Sequence, residues 1–139
     1  MPRERKKEIK YIALNSFFKT IYGSLHVIFR RASLGGDENC AAIRANFPIP
    51  EQCGLFYFEI DIIDKGENGE IGIGFCTKSA SLNKMPGWED SSWGYHGDDG
   101  KKFFNADGEP FGPKFMTSDT IGCCLNFINN TKLNFYRIF

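Results

Sequence analysis

Between Leu55 and Ile63 the chain alternates with a period of two. Phe56, Phe58, Ile60 and Ile62 fall on one side, with Glu59 and Asp61 on the other. Such a period marks a strand with one face in a core and one in solvent. The same pattern recurs along the chain. Leu25, Val27 and Phe29 alternate with His26, Ile28 and Arg30, and Cys40 to Phe47 reads as a second strand closed by Pro48 and Pro50. A proline lacks the N–H that a central ladder needs. Arg31 to Asn39 reads as an exposed loop. After the turn at Asp64-Lys65-Gly66-Glu67-Asn68-Gly69, the residues Ile71, Ile73 and Phe75 return to the core side. Gly72 and Gly74 then fall on the opposite face, where another part of the chain can come close. A strand–turn–strand unit spans Trp93 to Phe104 around Gly97-Asp98-Asp99-Gly100. Ile121, Cys123, Leu125 and Phe127 form another inward face, and Asn129-Asn130 turns the chain into Leu133 and Phe135. About seven short strands at this spacing predict an all-β protein, an antiparallel sandwich of two sheets.

The first 23 residues read differently. Arg3, Arg5, Lys6, Lys7 and Lys10 form a basic cluster, the pattern of a solvated tail, with a nuclear-localisation or acidic-partner patch as its functional alternative. Ile9, Ile12, Ala13, Phe17 and Ile21 recur at a spacing compatible with a short amphipathic helix. The chain is therefore divided into a basic N-terminal extension, 1–23, and a single domain, 24–139.

Composition narrows the class. A chain of 139 residues suits one domain, and fourteen phenylalanines with fifteen glycines favour a β-rich core linked by tight turns. Seventeen basic residues balance seventeen acidic ones, so no global field draws the chain to nucleic acid or to an anionic membrane. No run approaches the roughly 20 apolar residues of a membrane-spanning helix. The five cysteines are odd in number and contain no Cys-x-x-Cys pair, so neither a disulfide framework nor a zinc site is expected. A reducing compartment, the cytoplasm or the nucleus, fits that usage. No cofactor is expected. Asn129-Asn130-Thr131 is formally a glycosylation acceptor, but a turn explains its asparagines better.

The densest feature is Pro86-Gly87-Trp88 followed by Ser92-Trp93-Gly94-Tyr95-His96-Gly97-Asp98-Asp99-Gly100. Aromatic residues supply contact area at low entropic cost, and glycines let the backbone bend between them. This run resembles the SPRY domain of the Ran-binding-protein type. So do Ala42-Ile43-Arg44-Ala45, Pro48-Ile49-Pro50, Cys53-Gly54, Tyr57-Phe58-Glu59, Ile71-Gly72-Ile73-Gly74, Asn83, Gly112-Pro113 and Ile121-Gly122-Cys123-Cys124. The resemblance covers roughly Leu25 to Asn130 and implies a bent, concanavalin A-like sandwich without catalytic activity that binds a peptide or protein surface through end loops. It also implies an adaptor or substrate-recognition part of a ubiquitin-ligase-type assembly. Further strands would follow Asn130-Thr131 in that family, where this chain reads Lys132 to Phe139. The sandwich is thus expected to be incomplete at its C-terminus, with Phe127, Leu133 and Phe135 uncovered and a sheet edge open to self-association.

The resemblance carries over two binding segments. An early loop holds Arg44, Ala45, Asn46 and Phe47, whose arginine would bond a peptide carbonyl or carboxylate. A central segment holds Tyr95, His96, Gly97, Asp98, Asp99 and Phe103, whose rings and turn amides would clamp an extended ligand. Core packing is the competing expectation for Trp93 and Tyr95. One enzymatic alternative is a retaining glycoside hydrolase of the β-glucanase type, because Glu59-Ile60-Asp61-Ile62-Ile63-Asp64 resembles its strand signature. Glu59 would be the nucleophile, Asp61 its electrostatic helper and Asp64 the acid/base, with carboxyls about 5–5.5 Å apart. Asp64, however, opens a turn in place of the expected glutamate. A secreted effector built on the same domain is a further alternative, and it would need a cleavable leader, which the charged Met1 to Lys10 does not resemble.

Overall fold

The computed structural model describes residues 11–15, 42–45, 47–50, 52, 54–66, 68–128 and 132–138. The strands are β1 (Tyr11–Asn15), β2 (Ile43–Arg44), β3 (Leu55–Asp61), β4 (Gly72–Cys76), β5 (Ser92–His96), β6 (Lys101–Phe104), β7 (Asp107–Pro110), β8 (Thr120–Asn126) and β9 (Lys132–Ile138). They form a six-stranded sheet in the order β2-β1-β4-β5-β6-β7 and a three-stranded sheet in the order β3-β8-β9. Every pairing is antiparallel. No α-helix occurs among the described residues.

The core lies between the two sheets. Ile73, Phe75 and Tyr95 from the larger sheet meet Ile121, Cys123 and Leu125 of β8, with Phe56, Phe58 and Ile60 of β3 partly buried against them. Phe58 meets Phe75 edge-on across the layers, with ring centroids 5.4 Å apart. The alternation read in β3 is therefore the core pattern: Phe56, Phe58 and Ile60 are half-buried while Leu55, Tyr57, Glu59 and Asp61 are exposed.

Two features depart from the sequence reading, which left the pairing of β3 open. β3 pairs with β8, Phe58 opposite Cys123, while β4 lies in the other sheet between β1 and β5. Tyr11–Asn15 is a strand rather than part of a helix, and it belongs to the larger sheet, so the stretch set aside as an extension contributes to the domain itself. Its partner β4 is registered residue for residue, with Ala13 opposite Gly74. A sheet edge offers a ladder of backbone bonds, which outweighs a weak helical spacing. β7 was also not anticipated. It returns from β6 through Asn105 (φ 52) and Ala106 (φ 62), a left-handed pair of the kind that tight hairpins need and that alanine seldom occupies. The strand expected at Leu25 to Phe29, the loop at Arg31 to Asn39, the basic cluster, Asn46, Cys40, Cys53 and the Asn129-Asn130 turn lie outside the described residues.

Candidate binding surface

Tyr95 and His96 are neighbours on β5 and point to opposite faces of the larger sheet, as the period of two demands. Each is only 1% or 3% exposed. The Tyr95 ring packs edge-on against Phe111 and Phe115, with centroids 5.2 and 5.0 Å away, and its hydroxyl donates to the Pro113 carbonyl. His96 donates Nε2–H to the Pro86 carbonyl at 2.8 Å and stacks on Phe103 at 4.2 Å. Burial pushes its pKa down, opposed by the Pro86 bond and the nearby Asp98 and Asp99 carboxylates. The two side chains are latches on proline carbonyls, one on each face. Both rings are buried and hydrogen-bonded within the chain.

The outer latch explains the glycines. Gly72 and Gly74 of β4 and Gly94 of β5 share the outer face with His96. A Cβ on Gly94 would collide with the Pro86 carbonyl, and one on Gly74 with the Trp93 carbonyl oxygen. A Cβ on Gly87 would collide with Phe103. Pro86-Gly87 therefore lies directly on the sheet, fixed by Gly87 N–H to Ser92 Oγ at 2.8 Å and by Ala106 N–H to the Gly87 carbonyl at 2.9 Å. The most conspicuous run in the sequence is a packing device.

The turn amides are also committed. Gly97 N–H donates to Ile71 O at 2.9 Å, Gly100 N–H to His96 O at 3.1 Å and Lys101 N–H to Asp99 Oδ1 at 2.9 Å. Gly97 is buried against Phe115, Phe103 is half-buried, and Asp98 is exposed. Of the central segment, Asp98 is thus the residue most open to a partner.

The early loop lies elsewhere. Arg44 is registered through Ala13 with Gly74, so it shares the outer face, whereas Tyr95 is opposite Ile73 on the inner face. Four strand positions separate Arg44 from Phe103, about 19 Å at the usual inter-strand spacing. β2 runs from the Gly72 end of the sheet toward the Cys76 end, so Ala45 and Phe47 leave at the end opposite the Gly97–Gly100 turn. The two predicted segments do not form one surface. Arg44 donates Nη1–H to the Ala80 carbonyl of its own chain at 3.2 Å. Beside it, burial pushes the Cys76 thiol up to about 11. Phe47 is 82% exposed and Ala45 is exposed.

What stands at the turn end is a set of three loops tied to one another. Ser118 N–H donates to Ile62 O at 2.7 Å, Ile62 N–H to Asp119 O at 2.9 Å and Lys65 N–H to Thr117 Oγ1 at 3.0 Å. Phe115 N–H donates to Gly97 O, joining the third loop. On this frame Ile63 and Met116 are both exposed, with Asp64, Lys65, Asp98 and Lys114 exposed around them. Sequence reasoning missed Ile63 and Met116. Ile63 ends a strand pattern and was counted with it, and nothing local marks Met116.

The carboxylates of the glycosidase alternative are each hydrogen-bonded locally. Glu59 accepts from the Tyr57 hydroxyl at 3.0 Å and Asp61 from the Thr120 hydroxyl at 2.6 Å, both on the exposed face of β3. Asp64 Oδ1 accepts from Gly66 N–H at 2.9 Å within its turn. No cluster of three or more His, Cys, Asp or Glu side chains suited to a metal occurs among the described residues.

Comparison with known proteins identifies this arrangement. Residues 55–138 match the family model for the SPRY domain. Ran-binding protein 9 of Xenopus laevis is 45% identical over 117 residues, 84% of this chain and 21% of that protein. Ran-binding protein 9 of Homo sapiens is 50% identical over 95 residues, 68% of this chain and 13% of that protein. The chain thus spans a small part of these relatives. The crystal structure of a human SPRY domain superposes with a TM-score of 0.60 at 34% identity, covering 67% of this chain and 60% of the other. The alternation, the two antiparallel sheets and these matches agree: the chain belongs to the SPRY domain family, a family of protein-interaction modules.

Proposed function

We propose that this chain is a non-enzymatic module that binds a short peptide or loop of a partner protein at its turn-end loops, as an adaptor or substrate-recognition part of a ubiquitin-ligase-type assembly. The observation that carries the reading is the exposed Ile63 and Met116 on a mutually hydrogen-bonded loop frame. Loops fixed on a rigid sheet are where recognition residues concentrate, and a pre-ordered frame lowers the entropy lost on binding. Of the residues carried over from the family, Asp98 at this end and Phe47 at the other remain available as contacts; Tyr95 and His96 act as supports. The locally hydrogen-bonded carboxylates Glu59, Asp61 and Asp64, with Asp64 held in a turn, favour binding over glycoside hydrolysis. The unpaired Cys76, Cys123 and Cys124 support a reducing compartment, the cytoplasm or nucleus.

A peptide selected from a displayed library against the intact chain tests this. Ile63→Asp and Met116→Asp should each weaken that peptide by about 1–3 kcal/mol, the range for hot-spot residues. Circular dichroism should be unchanged in both. Undiminished affinity in both variants would sink the turn-end surface, and β-glucan turnover abolished by Glu59→Gln would sink the non-enzymatic reading.

A further inference from the structure

Sulfur atoms are among the most easily oxidised groups of a folded chain, and this fold covers them unevenly. Among the described residues, Cys76, Cys123 and Cys124 are free thiols at 1%, 0% and 9% exposure, and Met85 is 4% exposed. Burial raises the pKa of all three thiols, that of Cys76 to about 11 against the opposing pull of Arg44. The thiolate is the form that attacks a peroxide, so these cysteines are shielded both by cover and by protonation. A thioether has no proton to lose, and access decides its reactivity. Met116 is 54% exposed, on the same loop frame as Ile63.

The frame keeps Met116 from withdrawing. Its neighbour Phe115 is 2% exposed, packs on the Tyr95 ring at 5.0 Å and donates its N–H to the Gly97 carbonyl at 3.2 Å. Met116 N–H donates to Asp119 Oδ2 at 2.7 Å, and its carbonyl accepts from Asp119 N–H at 3.0 Å. Turning the thioether inward would break these bonds or draw Phe115 out of the core. Ile63 is fixed in the same way by the buried Ile62, whose N–H and carbonyl bond to Asp119 and Ser118. An apolar contact surface made of these two side chains has one member that oxidation makes polar and one that it does not.

We propose that Met116 is a redox-sensitive switch of the turn-end surface, oxidised by hydrogen peroxide to the sulfoxide and restored by a thiol-dependent reductase. The switch rests on the reading of that surface as the binding site. In the forward step the Met116 sulfur donates a lone pair to one peroxide oxygen. The S–O bond forms, the O–O bond breaks, and the second oxygen takes up the proton and departs as water. The sulfur loses the two electrons that the peroxide gains. In the return step two thiols supply two electrons, join as a disulfide and release the sulfoxide oxygen as water. The sulfoxide is a strong acceptor where the thioether was apolar, so an apolar partner group docked there leaves its oxygen without a hydrogen bond.

The test treats the intact chain with dilute hydrogen peroxide, removes the oxidant with catalase and reduces with dithiothreitol. That reduction returns disulfides and sulfenic acids to thiols and leaves methionine sulfoxide in place. Peptide mapping by mass spectrometry should find Met116 oxidised well before Met85, and the two alike once guanidinium has unfolded the chain. Affinity for the library-selected peptide, chosen without Met or Cys, should fall about tenfold, within the range for a hot-spot residue. It should return after treatment with methionine sulfoxide reductases acting on both epimers. Met116→Leu sets its own baseline, and peroxide should not lower it. The proposal fails if Met85 is oxidised as fast as Met116 in the folded chain, or if Met116→Leu loses affinity on oxidation. It also fails if the Met116 sulfoxide binds as tightly as the untreated chain while Met116→Asp does not. If untreated Met116→Asp and Ile63→Asp both bind as tightly as the native chain, the turn-end reading itself falls and the switch with it.

Discussion

The two faces of β4 and β5 are built from alternate residues of the same strands yet are held by opposite means. On the inner face, Ile73, Phe75 and Tyr95 fill the space between the sheets with side chains. On the outer face, Gly72 and Gly94 leave out side chains so that Pro86 can lie on the backbone, and Gly74 leaves room for the neighbouring strand at Trp93. The first face is stabilised by area taken out of water, the second by close approach and hydrogen bonds. A core can relax around one methyl group, whereas two backbones in contact have nowhere to go. Large aromatic content and glycine content, taken together as a recognition signature, turn out to report these two modes of packing.

One methyl group on each face separates the modes most sharply. Gly94→Ala places a Cβ against the Pro86 carbonyl and should cost about 3 kcal/mol, the upper part of the range for overpacking. Ile73→Val removes a methyl from the inner face and should cost about 1 kcal/mol. Urea denaturation midpoints of the two variants check this, and equal losses would mean that the outer segment is loosely held. A smaller effect comes from the inner latch. Tyr95→Phe keeps the ring between Phe111 and Phe115 but leaves the Pro113 carbonyl without its donor, and should cost about 1 kcal/mol or slightly less, read from the same midpoints.

The outer latch is sensitive to pH. His96 is buried with its pKa lowered from the ordinary 6.5, so the unfolded chain binds a proton more readily than the folded one. Its contribution is therefore full above pH about 6.5 and is lost as pH falls from there toward the depressed folded value. The melting temperature should drop over that interval in the native chain and much less in His96→Gln, compared with each at pH 8. An equal drop in both would assign acid sensitivity to other groups.

Strand positions were legible wherever burial imposes a local period. β3, β4 and β8 were read from alternation and the β5–β6 unit from its Gly97–Gly100 turn, and Gly74 was correctly given a close neighbour. β7 was not legible, because its turn depends on Asn105 and Ala106 adopting left-handed conformations that composition does not announce. β1 was read as helical because Ile12 and Ala13 fit either period until a partner strand decides between them.

The sequence by itself thus determined the class of structure, the family and the inward faces, since each follows from residues close together in the chain. The tertiary structure alone decided that β3 pairs with β8 rather than β4, and that Arg44 and Tyr95 lie on opposite faces. It also decided that Tyr95 and His96 are spent on Pro113 and Pro86, while Ile63, Met116 and Trp88 are left exposed. Whether a side chain is buried depends on which distant segment arrives over it, and a local pattern carries no record of that arrival.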